Sequence, residues 1–134
     1  MQREFAVPPR DLVVVIDDDV AVRNSLKFSL EVDGYAVQAY AGAGQPLDEA
    51  DLAGRGCLVI DYNLPGTDGL SALARLRARG VLMPAILITS HPNAALRARA
   101  AAAGVPIVEK PLLGNALLDA VHDAFVRSVA GPRS

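Results

Sequence analysis

The chain has 134 residues, 51% of them hydrophobic and 21% charged, with a formal net charge of -2; this is one domain's worth of chain, enough to bury a core, and it lacks the basic footprint of a nucleic-acid binder. The single cysteine, Cys57, excludes an internal disulfide and fits a reducing compartment. No apolar stretch approaches the ~20 residues that span a bilayer, and Met1-Gln2-Arg3-Glu4 does not open a signal peptide, so a cytoplasmic protein without a membrane partner is expected.

Residues 1–10, with Pro8-Pro9, read as a flexible lead-in to a domain over 11–129, with a short tail at 130–134 and no output domain. Leu12–Ile16 is a Val/Ile-rich run bounded by polar residues, hence a strand. Asp19 can cap the next helix, which carries Val22, Leu26 and Leu30 on one face and stops at Gly34. Tyr35–Ala39 alternates like a second strand. Three glycines and Pro46 leave at most a short helix over 41–54. Cys57–Ile60 is the third strand, and its cysteine reads as buried packing. Pro65-Gly66 makes a turn before a helix from Leu70 to Arg79. Ala85–Ile88 is the fourth strand. A helix from Ala94 to Ala103 follows, with Leu96 its one large apolar residue, so its packing should be thin. Val105–Val108 is the fifth strand, and Pro106, which cannot donate to a ladder, places it at a sheet edge or makes it a strand start. The last helix, near Leu113 to Val129, carries Leu117, Val121 and Phe125 on one face. The arginine clusters 75/77/79 and 97/99, like His91 and His122, read as solvated.

Five strands alternating with helices predict a doubly wound α/β fold with a parallel sheet. Strands apolar on both faces suit its buried centre. Ligands in such folds sit outside the carboxyl ends of the strands. That edge collects Asp17-Asp18-Asp19 after the first strand, Asp61 after the third, Thr89 after the fourth and Glu109-Lys110-Pro111 after the fifth. Gathered carboxylates repel, so a cation between them is implied. A hard divalent ion such as Mg²⁺ takes oxygen ligands, and Asp17, Asp18 and Asp61 can supply them. Asp61 can then act as a nucleophile toward phosphorus, with the Thr89 hydroxyl and the Lys110 ammonium on phosphoryl oxygens. Lys110 stands out because the chain has two lysines against eleven arginines. Taken singly, each residue also has a plainer role: cap, turn or solvated charge.

In combination these residues resemble the receiver domain of two-component response regulators. The motifs are Asp17-Asp18, the run Asp61-Tyr62-Asn63-Leu64-Pro65-Gly66-Thr67-Asp68-Gly69, Thr89-Ser90 and Lys110-Pro111, and the likeness covers roughly 11–129. The wording of Val15–Leu26 and Glu109-Lys110-Pro111 is similar to the subgroup usually joined to a helix-turn-helix output. The resemblance implies a flavodoxin-like five-stranded sheet of order 2-1-3-4-5 with about five helices. It implies Asp61 as phosphoacceptor, Mg²⁺ on Asp18, Asp61 and the backbone carbonyl of Asn63, Asp17 on a metal-bound water, and Thr89 and Lys110 on the phosphoryl group. The donor would be a sensor histidine kinase or a histidine phosphotransfer protein. A downstream protein would bind the face of helix four, strand five and helix five, without direct nucleic-acid contact. Three departures stand out: Ile107 occupies a switch position that is often aromatic, Gly104–Lys110 is about one residue short, and the second helix is poor.

Two other readings compete. One is a receiver-like module that docks partners without being phosphorylated. The other is a small phosphatase of the haloacid dehalogenase type, which Asp17, Asp19, Thr89-Ser90 and Lys110 imitate. That imitation leaves Asp61 without a role and finds no acidic pair after Lys110.

Overall fold

In the computed structural model the described residues are 11–42, 44–48, 50–52, 56–112 and 114–130, with side chains excluded at 45, 48 and 128–130. The expected lead-in over 1–10, residues 131–134 of the expected tail, and Leu113 lie outside them. Five strands form one sheet: β1 Leu12–Ile16, β2 Ala36–Tyr40, β3 Gly56–Asp61, β4 Ala85–Thr89 and β5 Ile107–Glu109. All neighbours are parallel, and the order is β2-β1-β3-β4-β5, the doubly wound order expected. The helices are α1 Val20–Val32, α2 Gln45–Asp48, α3 Gly69–Ala78, α4 Ala94–Ala102 and α5 Ala116–Ala130. The second is a single turn, as the glycines and Pro46 foretold.

Side chains alternate across a strand, and the sheet accordingly separates two cores. Val14, Ile16, Leu58, Ile60 and Leu87 face Leu73, Leu76 and Leu96 of α3 and α4. Val13, Val15, Cys57, Val59, Ile86 and Ile88 face Leu26 and Leu30 of α1 and Leu117, Val121 and Phe125 of α5. The Tyr35 and Phe125 rings stack with centroids 5.4 Å apart. On its other side α4 buries only Leu96 and Ala100, the thin packing its sequence predicts.

Two strand starts differ from expectation for one reason. Helices α1, α3 and α4 each end in a glycine with positive φ (Gly34, Gly80, Gly104), and the next residue's N–H turns back onto the helix. Tyr35 N donates to Leu30 O at 3.1 Å, Val81 N to Leu76 O at 3.0 Å and Val105 N to Ala100 O at 2.9 Å. Tyr35 and Val105 are therefore helix caps, not strand residues. Pro106 has no N–H, so β5 begins at Ile107 and lies at the sheet edge. The last helix starts three residues later than expected, because Gly114 takes φ +70°, outside the right-handed helix.

Arg75, Arg79, Arg97 and Arg99 are exposed, as expected, whereas Arg77 is half-buried; Arg77 and Arg79 also make bonds that a solvated face does not require. Arg77 Nη1 donates to Val81 O at 2.9 Å and Met83 O at 2.7 Å, closing the turn before β4. Arg79 donates to Leu47 O at 3.0 Å and Ala50 O at 2.7 Å, fastening α2 to α3. These carbonyls have no ladder partner, and a guanidinium supplies several donors in one rigid fork. His91 and His122 are exposed, as expected.

Candidate functional site

Each strand hands a side chain to the same edge. Asp61 and Thr89 are the last residues of β3 and β4, while Asp17 and Lys110 lie one past β1 and β5. The ladder continues under them: Asp17 N donates to Tyr40 O at 3.0 Å, Tyr62 N to Ile88 O at 2.8 Å and Lys110 N to Thr89 O at 2.8 Å. Their backbones are thus fixed by the sheet, the rigid support a reactive constellation needs.

Asp17, Asp61 and Thr89 are the buried polar residues among those described. Lys110 Nζ lies 3.4 Å from Asp17 Oδ2 and 3.3 Å from Asp61 Oδ2, bridging the two carboxylates. Asp18 is exposed, and one carboxylate oxygen from each of Asp17, Asp18 and Asp61 falls within 4.8 Å of the others. Three carboxylates thus face one ammonium. Burial raises the Asp61 pKa and the neighbouring Asp17 raises it further, while Lys110 and the Asn63 N–H pull it back. The Asn63 bond to Asp61 Oδ1 is long, at 3.4 Å.

Asp17 carries the second anomaly. Its Oδ1 accepts from Asp19 N at 2.9 Å, whereas the buried Oδ2 has no hydrogen-bond donor. A buried carboxylate oxygen that accepts no hydrogen bond, with two other carboxylates beside it and the Lys110 ammonium at 3.4 Å, suits a cation or its water. The all-oxygen donor set fits Mg²⁺.

Asp19 caps α1, its side chain accepting from Val22 N at 3.1 Å. That cap employs the carboxylate which a dehalogenase-type phosphatase would need as an acid. Asn63 opens a tight hairpin in which Asn63-Leu64 pairs with Thr67-Asp68 around Pro65-Gly66. Thr89 Oγ1 accepts a long bond from His91 N at 3.4 Å. Ile107, at the expected switch position, pairs with Leu87 and packs against the α3–α4 core.

Three supports escaped the sequence reading. Arg23 Nη1 donates to Asp17 O at 2.8 Å. Asp68 caps α3 through Ser71 N at 2.8 Å and Ser71 Oγ at 3.1 Å. Gly69 presses on the Asp61 backbone, where a β-carbon would stand 2.5 Å from Asp61 O and 2.9 Å from Leu87 Cδ1. A cap pattern, Asp68 before an apolar run, was the available signal for the second; a contact to a main-chain carbonyl leaves none.

The response regulator receiver domain family model matches residues 13–122. The chain belongs to that family. Among curated relatives, the transcriptional regulatory protein FixJ of Azorhizobium caulinodans is 42% identical over 122 residues, covering 90% of this chain and 58% of that protein. The C4-dicarboxylate transport transcriptional regulatory protein DctR of Rhodobacter capsulatus is 34% identical, covering 84% of this chain and 59% of that one. The chain therefore spans about three fifths of the length of the curated relatives it matches. Among solved structures, the response regulator StyR superposes with a TM-score of 0.81 at 31% identity, covering 90% of this chain and 62% of that one. FixJ-N superposes at 0.73 with 28% identity, covering 100% of this chain and 99% of that one. Receiver domains are phosphorylatable signalling switches, not classical enzymes, and they generally bind Mg²⁺ at an acidic pocket. The receiver fold here has no helix, among the described residues, long and apolar enough to cross a membrane.

Proposed function

We propose that this receiver takes a phosphoryl group onto Asp61 from a phosphohistidine of a sensor histidine kinase or histidine phosphotransfer protein. The observation that carries the proposal is the Lys110 ammonium held 3.3 Å from Asp61 and 3.4 Å from the buried Asp17 carboxylate. Lys110 opposes the burial and the Asp17 charge that would protonate Asp61. Lys110 thereby favours the anionic form of Asp61, the oxygen nucleophile. One Asp61 oxygen forms a bond to phosphorus as the phosphorus–nitrogen bond breaks, and the imidazole leaves with that electron pair. Thr89 donates its hydroxyl hydrogen to one phosphoryl oxygen, and Lys110 contacts another as a point charge.

Asp18, Asp61 and the Asn63 carbonyl would hold Mg²⁺ directly, and Asp17 would hold one of its waters. The ion supplies positive charge against that of the carboxylates and the phosphoryl group. Water attack on phosphorus returns Asp61 to the carboxylate, so the catalysis concerns this chain's own phosphorylation and dephosphorylation only. Phosphorylation alters binding of a downstream protein at the face made by α4, β5 and α5, without direct nucleic-acid or membrane contact and in the cytoplasm.

Incubation with Mg²⁺ and acetyl phosphate, followed by intact-mass measurement, tests this reading. One added phosphoryl group is expected, lost in base or hydroxylamine and absent in Asp61→Asn. A label that survives that substitution overturns the assignment.

A further inference from the structure

The residue after Asp61 reaches α4 through a polar contact, whereas Ile107 offers that side of the sheet aliphatic packing. Tyr62 is half-buried, and its backbone is pinned at both ends, Tyr62 N to Ile88 O at 2.8 Å and Gly69 N to Tyr62 O at 2.7 Å. Its phenol oxygen accepts from Arg99 Nη1 of α4 at 3.3 Å. Arg99 Nη2 lies 3.6 Å from Asp68 Oδ1. Asp68 in turn caps α3 and pairs with Asn63 across the hairpin. One guanidinium therefore joins the two side chains that bracket the Asn63 hairpin, and it stands on a helix that buries Leu96 and Ala100 alone.

We propose that Arg99 is a positioning residue that ties α4 to the hairpin following Asp61, so that occupancy of the Asp61 site moves α4 through Tyr62 and Asp68. The proposal rests on the phosphoacceptor reading above and deepens it. Ile107 offers no polar atom and no ring to carry such a link, whereas the Arg99 fork contacts a hydroxyl and a carboxylate at once. The coupling is reciprocal: whatever the occupied site does to Arg99, Arg99 does to the affinity of the site. Arg99 is half exposed, with 49% of its side chain accessible, so the effect is modest, about two- to fivefold.

The test follows backbone amide shifts of the isotope-labelled full chain at Asp61–Asn63 and at Ala94–Ala102. Mg²⁺ is added first, then beryllofluoride as a phosphoryl mimic. Both segments should shift in the unmodified chain. In Tyr62→Phe and Arg99→Ala the Asp61–Asn63 amides should still shift, while the α4 response falls at least about twofold. The Mg²⁺ midpoint should rise about two- to fivefold in Arg99→Ala, with the double variant no worse than that single one. An α4 response of full size in both variants, with Asp61–Asn63 responding, overturns the link and leaves the phosphoacceptor reading standing. So does an α4 that stays still in the unmodified chain while Asp61–Asn63 responds. Silence of Asp61–Asn63 toward both reagents overturns the link and the phosphoacceptor reading together.

Discussion

Gly69 runs against the Asp61 carbonyl so closely that a β-carbon on it would stand 2.5 Å from that oxygen. No side-chain rotation relieves this, because the obstacle is backbone on one side and the Leu87 methyl, at 2.9 Å, on the other. Gly69→Ala must push α3 away from β3 or displace Asp61 itself. It is expected to lower stability by about 1–3 kcal/mol, the usual cost of overpacking. Urea unfolding checks this, and acetyl phosphate labelling of the folded fraction should fall with it.

The Asp61 pKa is raised in the folded chain, chiefly by burial and then by Asp17. A carboxyl group with a raised folded pKa binds its proton more tightly when folded, so stability falls as pH rises through the window from its unfolded to its folded pKa. Above that window the ionised Asp61 is a standing cost. Asp61→Asn should therefore raise the melting temperature at neutral pH without Mg²⁺. The gap should close as pH drops below the unfolded carboxyl range, or when Mg²⁺ is added to the unmodified chain. Equal melting temperatures at neutral pH would contradict this.

Removing Lys110 leaves two buried carboxylates without their shared ammonium. Lys110→Met should destabilise the fold at neutral pH, by less than the about 3–5 kcal/mol of a fully buried pair because the lysine is partly solvated. The loss should disappear in acid, where the carboxylates are protonated. Labelling by acetyl phosphate should fall at least about tenfold, the loss expected when one charged contact to the transferring group goes.

Arg79 joins the one-turn α2 to α3 through the carbonyls of Leu47 and Ala50. Arg79→Ala should cost about 1–2 kcal/mol, since two carbonyls lose a charged donor and regain water at an exposed site. Hydrogen exchange should quicken over residues 44–52 and stay unchanged in α5.

The Cys57 thiol is fully buried, and desolvation pushes its pKa up to about 12. It should resist alkylation under mildly alkaline native conditions and react at once in denaturant. Reaction at equal rates in both conditions would show the α1–α5 core open at β3.

The sheet and the gathering of polar residues at its edge were legible because both rest on local pattern. Apolar runs bounded by carboxylates announce buried parallel strands, and Asp17, Asp61, Thr89 and Lys110 lie at those boundaries in the folded chain. The strand starts at Tyr35 and Val105 were misread because a buried side chain after a helix-ending glycine looks like a strand residue, while its N–H is already given to the helix. The contacts of Arg77, Arg79 and Arg99 were not legible because their partners are carbonyls and side chains brought near by folding, which charge patterning cannot register. The role of Gly69 was likewise hidden: glycine in a motif marks a need for space or for an unusual φ, and only the packed chain shows that here the need is space.

Helix α4 holds to the sheet through Leu96 and Ala100, whereas α5 buries Leu117, Val121, Ala124 and Phe125. Lifting α4 off its layer exposes one leucine and one methyl group, a cost of about 2–4 kcal/mol. Displacements of that size belong to excursions a native chain makes spontaneously, at populations of about 0.1–3%. Helix α5, with its four-residue apolar seam and the Tyr35–Phe125 stack, is held more firmly. Helix α4 is therefore a compliant element on an otherwise firmly packed sheet, and a bound group at the sheet edge need only choose among arrangements that α4 already visits.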